Sequence, residues 1–343
     1  MTDKFPLFRL PYLALHKILN HVGPEVTLSL SFCSKRSKLL VKHCQGPRKD
    51  INITLYMPGK VLRVNYASSV TDFSISVVAA SEQPANLKTA NIGSHVVPVE
   101  MERNVLKTYW TEAKEGFEEI VKYTSDVFSR DLYSIAYRGT SSLDDNDVRH
   151  WLEWIKARQG KLCRLNLTST KANDNLLMYI LESDIVTGNL ILDSVCSTAF
   201  RGPSPRPFSI DYLYLWQSKW VTLNHLLAMD IKQIILSNTS LPCQEINIFP
   251  KKWINGECSK RIKLLHVGMG NEMNYDVLMV GIKFNRRDPS LRRVYAMSPN
   301  LVEPINGGFD IRRKEDGALA TIISGYGGLQ IRFWPDYKGN PYH

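Results

Sequence analysis

The sequence predicts an α/β protein in which a small group of three N-terminal helices precedes an irregular, leucine-rich-repeat-like strand–helix domain with β-rich ends. The 343 residues suit one small module plus one large domain, and 44% of them are hydrophobic, as in ordinary globular proteins. Apolar residues concentrate at helical spacing near the N-terminus. Further on, strand-like segments recur about every 20–30 residues, with helical patterns between them.

The first predicted helix begins at Leu10-Pro11, because proline is favoured in a first turn, where its missing N–H is not needed. Four apolar residues follow at i, i+3, i+4 and i+7 and share one face: Leu15, Ile18, Leu19 and Val22. Gly23-Pro24 then ends this helix and begins the next one.

The second and third helices are separated by the polar run 34–38. Their apolar residues are Val26, Leu28 and Leu30, then Leu39, Leu40 and Val41. Three short helices bury too little apolar surface to be stable alone without a disulfide or a metal. The pattern therefore predicts that this end of the chain docks on a partner.

The order of these positions resembles an F-box. The matching stretches are Phe5–Leu19, Gly23-Pro24, Leu28–Lys35 and Leu39–Val41. The family's motif has a Leu-Pro pair, an Ile-Leu pair, a proline-started second helix, a Cys/Ser-Lys step and a closing Leu-Leu. This chain departs from it at Tyr12-Leu13, where many F-boxes carry an acidic residue.

The resemblance implies docking on the Skp adaptor of an SCF (Skp–cullin–F-box) ubiquitin-ligase complex, and through the adaptor on a cullin. On the matching positions, the expected Skp-adaptor contacts are Leu10, Pro11, Leu15, Ile18, Leu19, Pro24, Leu28, Leu30, Leu39 and Leu40. The alternative interpretation is an amphipathic helical hairpin that packs only on its own downstream domain.

A β-rich region with one helix follows the N-terminal module. Alternating apolar residues predict strands at 51–56, 61–66 and 73–78, with a Pro58-Gly59 turn between the first two. A stretch rich in Ser, Asn and Pro predicts a loop from Ser81 to Val97. Residues 111–128 are expected to form a helix whose shared face carries Ala113, Phe117, Ile120, Val121 and Phe128.

From Leu132 onward strands and helices alternate. The predicted strands begin near Leu132, Leu162, Leu190, Tyr212, Ile231 and Ile262, and the predicted helix caps are Asp145, Asp174 and Thr222. Units of this length are typical of stacked leucine-rich-repeat-like structure. An ordinary α/β or α+β domain would give a similar alternation.

A second resemblance covers this part of the chain. Trp220–Leu227, Ile246–Phe249, Lys252-Trp253 and Gly256 are similar to the type-two F-box-associated domain of F-box families expanded in nematodes, and so is the closing stretch Gly308–Ile322. Pro250 stands where that pattern has leucine, and we expect it to disturb the local helix. Asp316-Gly317 predicts a hairpin turn.

The predicted domains are a docking module at 1–49, a β-rich connecting region with a helix at 50–130, and an F-box-associated, leucine-rich-repeat-like substrate-recognition domain at 131–343. The resemblances imply a non-catalytic substrate-recognition subunit that holds an unknown protein substrate near the ligase. An F-box scaffold acting outside any ligase would have the same sequence features.

Motifs for catalysis and cofactor binding are missing from the sequence. It contains no GxxxxGK[ST], GxGxxG, HExxH or GxSxG, so we expect no catalytic residues and no cofactor. The six cysteines form no CxxC pair, and the spacing of His16, His21, Cys33, His43 and Cys44 matches no metal template. Since the apolar N-terminal run is interrupted and too short to span a bilayer, we expect no membrane contact and a location in the cytoplasm or nucleus.

The formal charge of +10 is unevenly distributed. Residues 1–49 hold nine Lys and Arg against Asp3 and Glu25, a net +7, which suits the acidic Skp adaptor family. Residues 251–293 carry a net +6. This second stretch supports an alternative function, nucleic-acid binding, but no groove-reading motif accompanies it, so a protein partner is favoured over a nucleic acid.

Overall fold

The computed structural model of the protein describes residues 7–46, 48–66, 72–139, 145–269, 274–298, 301–325 and 327–334. Phe5 of the F-box-like motif lies outside these ranges. The chain divides into two units, the first formed by residues 1–138 with 157–162 and the second by residues 139–156 with 163–343.

Three helices open the first unit, as the sequence predicts. They are α1 (Tyr12–His21), α2 (Pro24–Phe32) and α3 (Lys35–Gln45). Pro24 is the first residue of α2, where its missing N–H costs nothing. Ser34 caps α3 by accepting a hydrogen bond from the Ser37 N–H at 3.0 Å. The predicted polar run therefore belongs largely to the first turn of α3.

The rest of the first unit is a sheet with one long helix, α4 (Ala113–Phe128). Its strands are β1 (Ile51–Met57), β2 (Val61–Tyr66), β3 (Phe73–Ala79), β4 (Lys88–Ile92), β5 (His95–Glu102), β6 (Val105–Trp110) and β7 (Leu132–Gly139). Their order is β7-β1-β2-β3-β6-β5-β4. The three predicted strands and the predicted helix are all present, and Phe117, Ile120, Val121 and Phe128 of α4 are buried.

The predicted loop from Ser81 to Val97 is wrong, because strands β4 and β5 form a hairpin there. Ile92 pairs with His95 across a two-residue Gly93-Ser94 turn, in which Gly93 has a φ of +61°. Ile92 and Val97 are buried, whereas Asn91 and Val96 next to them are exposed. The exposed apolar residue Val96 breaks the polar–apolar pattern by which a strand is read from the sequence.

The second unit contains five neighbouring strands, and the last four of them pair in parallel, as a repeat-like domain requires. They are β8 (Leu162–Ser169), β9 (Val186–Ser194), β10 (Tyr212–Leu215), β11 (Gln233–Thr239) and β12 (Leu264–Met269). The helices are α5 (Asp145–Gln159), α6 (Asp174–Glu182), α7 (Leu223–Ala228), α8 (Cys243–Ile246), α9 (Ile248–Ile254) and α10 (Tyr275–Leu278), and α5 runs across the division between the units.

One buried apolar position recurs along these strands. Neighbouring strands from β9 to β12 pair in register through four residues that are at most 1% exposed: Leu190, Leu213, Ile234 and Leu265. Burial of one large aliphatic side chain per unit is the physical basis of stacked repeats. The predicted α/β fold class, with a helical N-terminal module followed by a strand-rich domain, is confirmed.

Antiparallel strands close the second unit. They are β13 (Asn285–Arg286), β14 (Arg292–Ser298), β15 (Leu301–Asn306), β16 (Phe309–Arg312), β17 (Leu319–Gly325) and β18 (Gly328–Phe333). The sheet order from β12 is β18-β17-β16-β13, and β14 pairs with β15 in a separate ribbon. The predicted turn at Asp316-Gly317 joins β16 to β17, with Gly317 at a φ of +73°.

Two local predictions need correction. The cap of α6 is Asn173 rather than Asp174, and its side chain accepts a hydrogen bond from the Leu176 N–H at 3.0 Å. Pro250 does not disrupt a helix interior, because it lies in the first turn of α9, three residues after the junction at Asn247. Without an N–H, Pro250 cannot bond to the carbonyl of Ile246, where α8 ends.

Candidate protein-docking surface

The three N-terminal helices expose an unusual number of large apolar side chains. Leu13 is 72% exposed, Leu39 67%, Tyr12 51% and Val26 41%. Pro11 beside them is exposed as well. Apolar side chains gathered on one small module mark a protein interaction surface more often than scattered ones do. We call the set Pro11, Tyr12, Leu13 and Leu39 the apolar face.

The ten residues expected from the sequence to contact an adaptor differ widely in exposure. Leu15, Leu19, Pro24 and Leu28 are buried; Leu10, Ile18, Leu30 and Leu40 are half-buried; Pro11 and Leu39 are exposed. The buried side chains form the core beneath the helices. Only the half-buried and exposed side chains can touch another protein without a rearrangement.

The sequence-based set of contacts omitted Tyr12, Leu13 and Val26. The sequence did indicate that Tyr12 and Leu13 are exposed. Adjacent residues on a helix point about 100° apart, so they cannot all share the face that packs on the core. Leu15 and Leu19 turn toward the core. Leu13 consequently points into solvent.

Contacts between α1 and α3 bring the exposed residues of both helices together. The ring centroids of Tyr12 and His43 are 5.8 Å apart. Leu39 precedes His43 by one helical turn and therefore lies on the same side of α3. His16 of α1 also bonds through Nδ1 to the carbonyl oxygen of Cys44. The apolar face is thus built jointly by two helices.

Buried polar groups secure the turn where α1 ends. The Gln45 amide nitrogen donates to the carbonyl oxygen of Leu19 at 3.3 Å and to the Thr27 hydroxyl at 3.4 Å. The Arg48 guanidinium donates to the same Leu19 carbonyl at 3.5 Å. Since the last carbonyls of a helix have no intrahelical partner, these bonds satisfy groups that would otherwise be buried unpaired.

Helix α4 anchors the N-terminal helices through Asp126. The Lys38 and Lys42 amines lie 2.7 and 2.5 Å from its two carboxylate oxygens. Burial raises the pKa of Asp126, but the hydrogen bonds from these two lysines outweigh that effect, so the net pKa is lowered. We call Lys38, Lys42 and Asp126 the α3–α4 clamp.

A tyrosine of α4 adds a second anchor. The Tyr123 hydroxyl donates to the Ser31 hydroxyl of α2 at 3.1 Å, and its ring stacks on Phe32 with centroids 5.3 Å apart. Burial raises the pKa of Tyr123 to about 12. The phenol therefore stays neutral, and its contacts fix α2 to α4 within the first unit.

These contacts change the electrostatic character of the module. Lys38 and Lys42 are paired with Asp126, and Arg48 is paired with Asp50 at 2.8 Å. The exposed basic residues that remain are Arg9, Lys17, Lys35, Arg36 and Lys49. No ion pair joins these five to another residue in the described ranges. Their charges are available to an acidic partner.

Half of the basic residues in the stretch 251–293 form ion pairs within the protein. Its ion pairs are Lys252–Glu257, Lys260–Glu315, Arg261–Asp211, Arg261–Asp230, Arg287–Asp310 and Arg293–Asp310. A continuous track of free cations, which nucleic-acid binding requires, is therefore lacking along this described stretch.

The histidines and cysteines singled out in the sequence do not gather into a metal site. Within the described ranges, no three His, Cys, Asp or Glu side chains are grouped to hold a metal ion. His16 and His21 bond to backbone carbonyls, and all six cysteines are free thiols. No helix in the described part of the chain is long and apolar enough to cross a membrane.

Comparison with protein families identifies two domains. Residues 7–49 match the F-box domain, and residues 206–267 match an F-box-associated domain of the second type. Both resemblances read from the sequence are thereby confirmed. The first match covers the three helices with the apolar face, and the second covers β10, α7, β11, α8, α9 and most of β12.

Curated relatives come from the nematode Caenorhabditis elegans. The chain is 21% identical to Skn-1 dependent zygotic transcript 15 protein over 73% of this chain and 75% of that protein. It is 23% identical to uncharacterized protein F59B2.8, over 94% and 75% of the two chains. It is 20% identical to E3 ubiquitin-protein ligase hecw-1, over 76% of this chain but 22% of that protein. No solved structure matches the chain.

The two matched domains together define the general type of protein. An F-box combined with an F-box-associated domain indicates an adaptor-type, substrate-recognition protein of the kind found in SCF complexes. The chain contains an F-box domain at residues 7–49 and a type-two F-box-associated domain at residues 206–267.

Proposed function

We propose that this protein is the substrate-recognition subunit of an SCF-type ubiquitin ligase. The N-terminal helices dock on the Skp adaptor, and the second unit holds a target protein. The observation that carries this proposal is the F-box match over helices whose apolar face is exposed. An apolar patch of this kind, surrounded by free cations, suits a partner that is acidic and partly apolar.

The residues proposed to touch the adaptor are those that remain accessible. Pro11, Tyr12, Leu13 and Leu39 form the centre, and the half-buried Leu10, Ile18, Leu30 and Leu40 extend it. The predicted contacts Leu15, Leu19, Pro24 and Leu28 act indirectly, because they hold the helices in place from beneath. Lys17, Lys35 and Arg36 supply a basic rim that speeds association.

The protein would contribute proximity rather than chemistry. Holding a target next to the ubiquitin-transfer machinery converts a bimolecular encounter into an effectively intramolecular one. Similarity to hecw-1, a protein named as an E3 ubiquitin-protein ligase, covers 22% of that protein. This likeness is therefore consistent with the same pathway and does not transfer that protein's activity.

Affinity purification of the full-length chain, followed by identification of its partners, tests the proposal. We expect the Skp adaptor, a cullin and ubiquitinated proteins to be recovered together. Recovery of the adaptor without a cullin would instead support a scaffold outside the ligase. Recovery of neither would contradict the proposal.

A matched pair of variants makes the purification specific. Leu13→Asp places a charge on the apolar face, and Val96→Asp makes the same change at a 69% exposed residue of β5. Both side chains are exposed, so neither change should unfold the protein. We expect Leu13→Asp to lose the adaptor and the cullin and Val96→Asp to retain both.

A further inference from the structure

A basic cavity of about 570 Å³ lies in the second unit, remote in sequence from the F-box. It is lined by α9 and the residues after it, by the segment before β13, and by β16 with the turn that follows. Its principal polar lining residues are Lys251, Asn255, Lys283, Asn285, Arg312 and Lys314. A cavity of this size accommodates several linked groups rather than a single ion.

Three lysines from three separate elements converge on this cavity. Lys251 comes from α9, Lys283 from the segment before β13, and Lys314 from the turn after β16. No ion pair joins any of them to another residue that the structure describes, although the Lys314 amine donates to the Asn255 side chain at 2.8 Å. Three cations brought together without ion-paired carboxylates repel one another, and this repulsion destabilises the folded protein unless an anion is bound.

The acidic residues nearby are already engaged. Asp310 lines the cavity but is buried and bonded to Arg287 and Arg293. Glu257 and Glu315 pair with Lys252 and Lys260 outside the lining. Glu257 still attracts Lys314 electrostatically, but in the described part of the chain no carboxylate forms an ion pair with any of the three cavity lysines.

The backbone is shaped to keep this space open. β13 and β16 pair only at Asn285–Asp310 and Arg286–Phe309, and the cavity lies beyond the first of these pairs. Gly281 has a φ of +71°, and a side chain there would lie 3.3 Å from the Lys251 amine. Glycine thus adopts the positive φ without strain, and its missing side chain leaves room for the Lys251 amine in the cavity lining.

An exposed aromatic ring also lines the cavity. Phe284 lines the cavity, is 39% exposed, and meets Phe309 edge to face with centroids 5.1 Å apart. Exposed aromatic residues next to cations are typical of sites that bind peptide chains, where rings cover apolar stems and cations meet carboxylates. A nucleic acid would instead require cations spaced along an extended surface.

We propose that this cavity binds an acidic peptide segment of the target protein, with Lys251, Lys283 and Lys314 facing its carboxylates and Phe284 its apolar side chains. The inference rests on the proposed function, because it identifies the chemical class of target that the second unit recognises. It also accounts for part of the basic stretch 251–293, whose remaining cations are mostly paired.

Fluorescence anisotropy with the purified full-length protein tests the inference in the absence of any adaptor. The probe is a short labelled peptide rich in glutamate with interspersed leucine, and the control probe has glutamine at every glutamate position. We expect saturable binding of the glutamate peptide only, and a loss of about tenfold in affinity for Lys283→Glu and for Lys251→Glu.

The matched control is Lys171→Glu, the same charge reversal at an exposed lysine of the second unit outside the cavity. It should bind the glutamate peptide as the wild type does. An equal loss in Lys171→Glu, or no saturable binding by the wild type at low salt, would overturn the inference. Tighter binding of a single-stranded oligonucleotide of matched charge would overturn it in favour of nucleic acid.

The same preparations separate this inference from the proposed function. Adaptor binding by the Lys283→Glu variant is measured in parallel. Adaptor binding without peptide binding contradicts only the cavity assignment. Peptide binding without adaptor binding contradicts only the docking function.

Discussion

In the described part of the chain, the Asp310 carboxylate accepts hydrogen bonds from three side chains, more than most acidic residues there. Its side chain is 2% exposed and accepts hydrogen bonds from Arg287 at 2.5 Å, from Arg293 at 3.0 and 3.1 Å, and from Thr321 at 2.7 Å. Arg293 is 6% exposed, and its guanidinium also lies 5.0 Å from the Trp334 ring centroid. A buried charge pair of this kind costs desolvation energy that only complete bonding offsets.

Removing only Arg293 should therefore destabilise the protein more than removing both Arg293 and Asp310. Arg293→Met leaves a buried carboxylate short of partners, and we expect it to lower the free energy of unfolding by about 3–5 kcal/mol. Arg293→Met with Asp310→Leu leaves neither charge of the pair and should recover part of that loss. Urea unfolding followed by tryptophan fluorescence measures both, and a double variant less stable than Arg293→Met would contradict this account.

Helices α3 and α4 are coupled by the α3–α4 clamp. Two lysines on one helix converge on a single carboxylate of the other, so the clamp is sensitive to the protonation of Asp126. The folded pKa of Asp126 is lowered below its ordinary value of 3.8. Its contribution to stability is consequently present above about pH 4 and is lost as the pH falls through the folded pKa.

Asp126→Asn should remove this pH-dependent contribution. Near neutral pH we expect it to destabilise the protein by about 1 kcal/mol, since the three side chains are partly exposed and screened by solvent. At a pH below the lowered folded pKa of Asp126 the difference from the wild type should disappear, because the carboxylate is then protonated in both the folded and the unfolded state. Chemical unfolding at the two pH values measures it, and an equal difference at both would contradict the clamp.

The elements that the sequence predicts well are those in which local chemistry and periodicity agree. Pro24 favours a helix start, and the apolar residues of 111–128 recur at helical spacing. The β4–β5 hairpin was missed because the exposed Val96 breaks the polar–apolar alternation and because the turn is only Gly93-Ser94. Its strands are specified by sheet pairing, which one sequence does not reveal.

For the docking surface, the sequence predicted the segment but not the exposure of each residue. An F-box-like order of residues locates the site within 7–49, whereas burial depends on packing against α4, far along the chain. Leu19 and Leu39 are equally apolar, but one is fully buried and the other 67% exposed. The basic cavity was unpredictable for the same reason, since its three lysines come from distant positions.

At the scale of the whole molecule, the basic residues behind the net charge of +10 fall into two groups, those in ion pairs and those without one in the described ranges. Pairing with Asp126 and Asp50 removes three cations of the N-terminal module, and six ion pairs engage half of the basic residues in the stretch 251–293. The unpaired cations of the N-terminal module and the three lysines of the basic cavity lie in separate parts of the sequence. Within the described stretch 251–293, the paired residues interrupt the continuous track of free cations that nucleic-acid binding would require.

The most direct test of the docking function is a binding titration between the full-length protein and a purified Skp adaptor. The wild type should bind, and Leu39→Asp should weaken binding by at least about 2 kcal/mol, roughly thirtyfold in Kd, because a charge would be buried at the centre of the interface. Val96→Asp serves as the control and should bind as the wild type does. Unchanged binding by Leu39→Asp, or no binding by the wild type, would contradict docking through the apolar face.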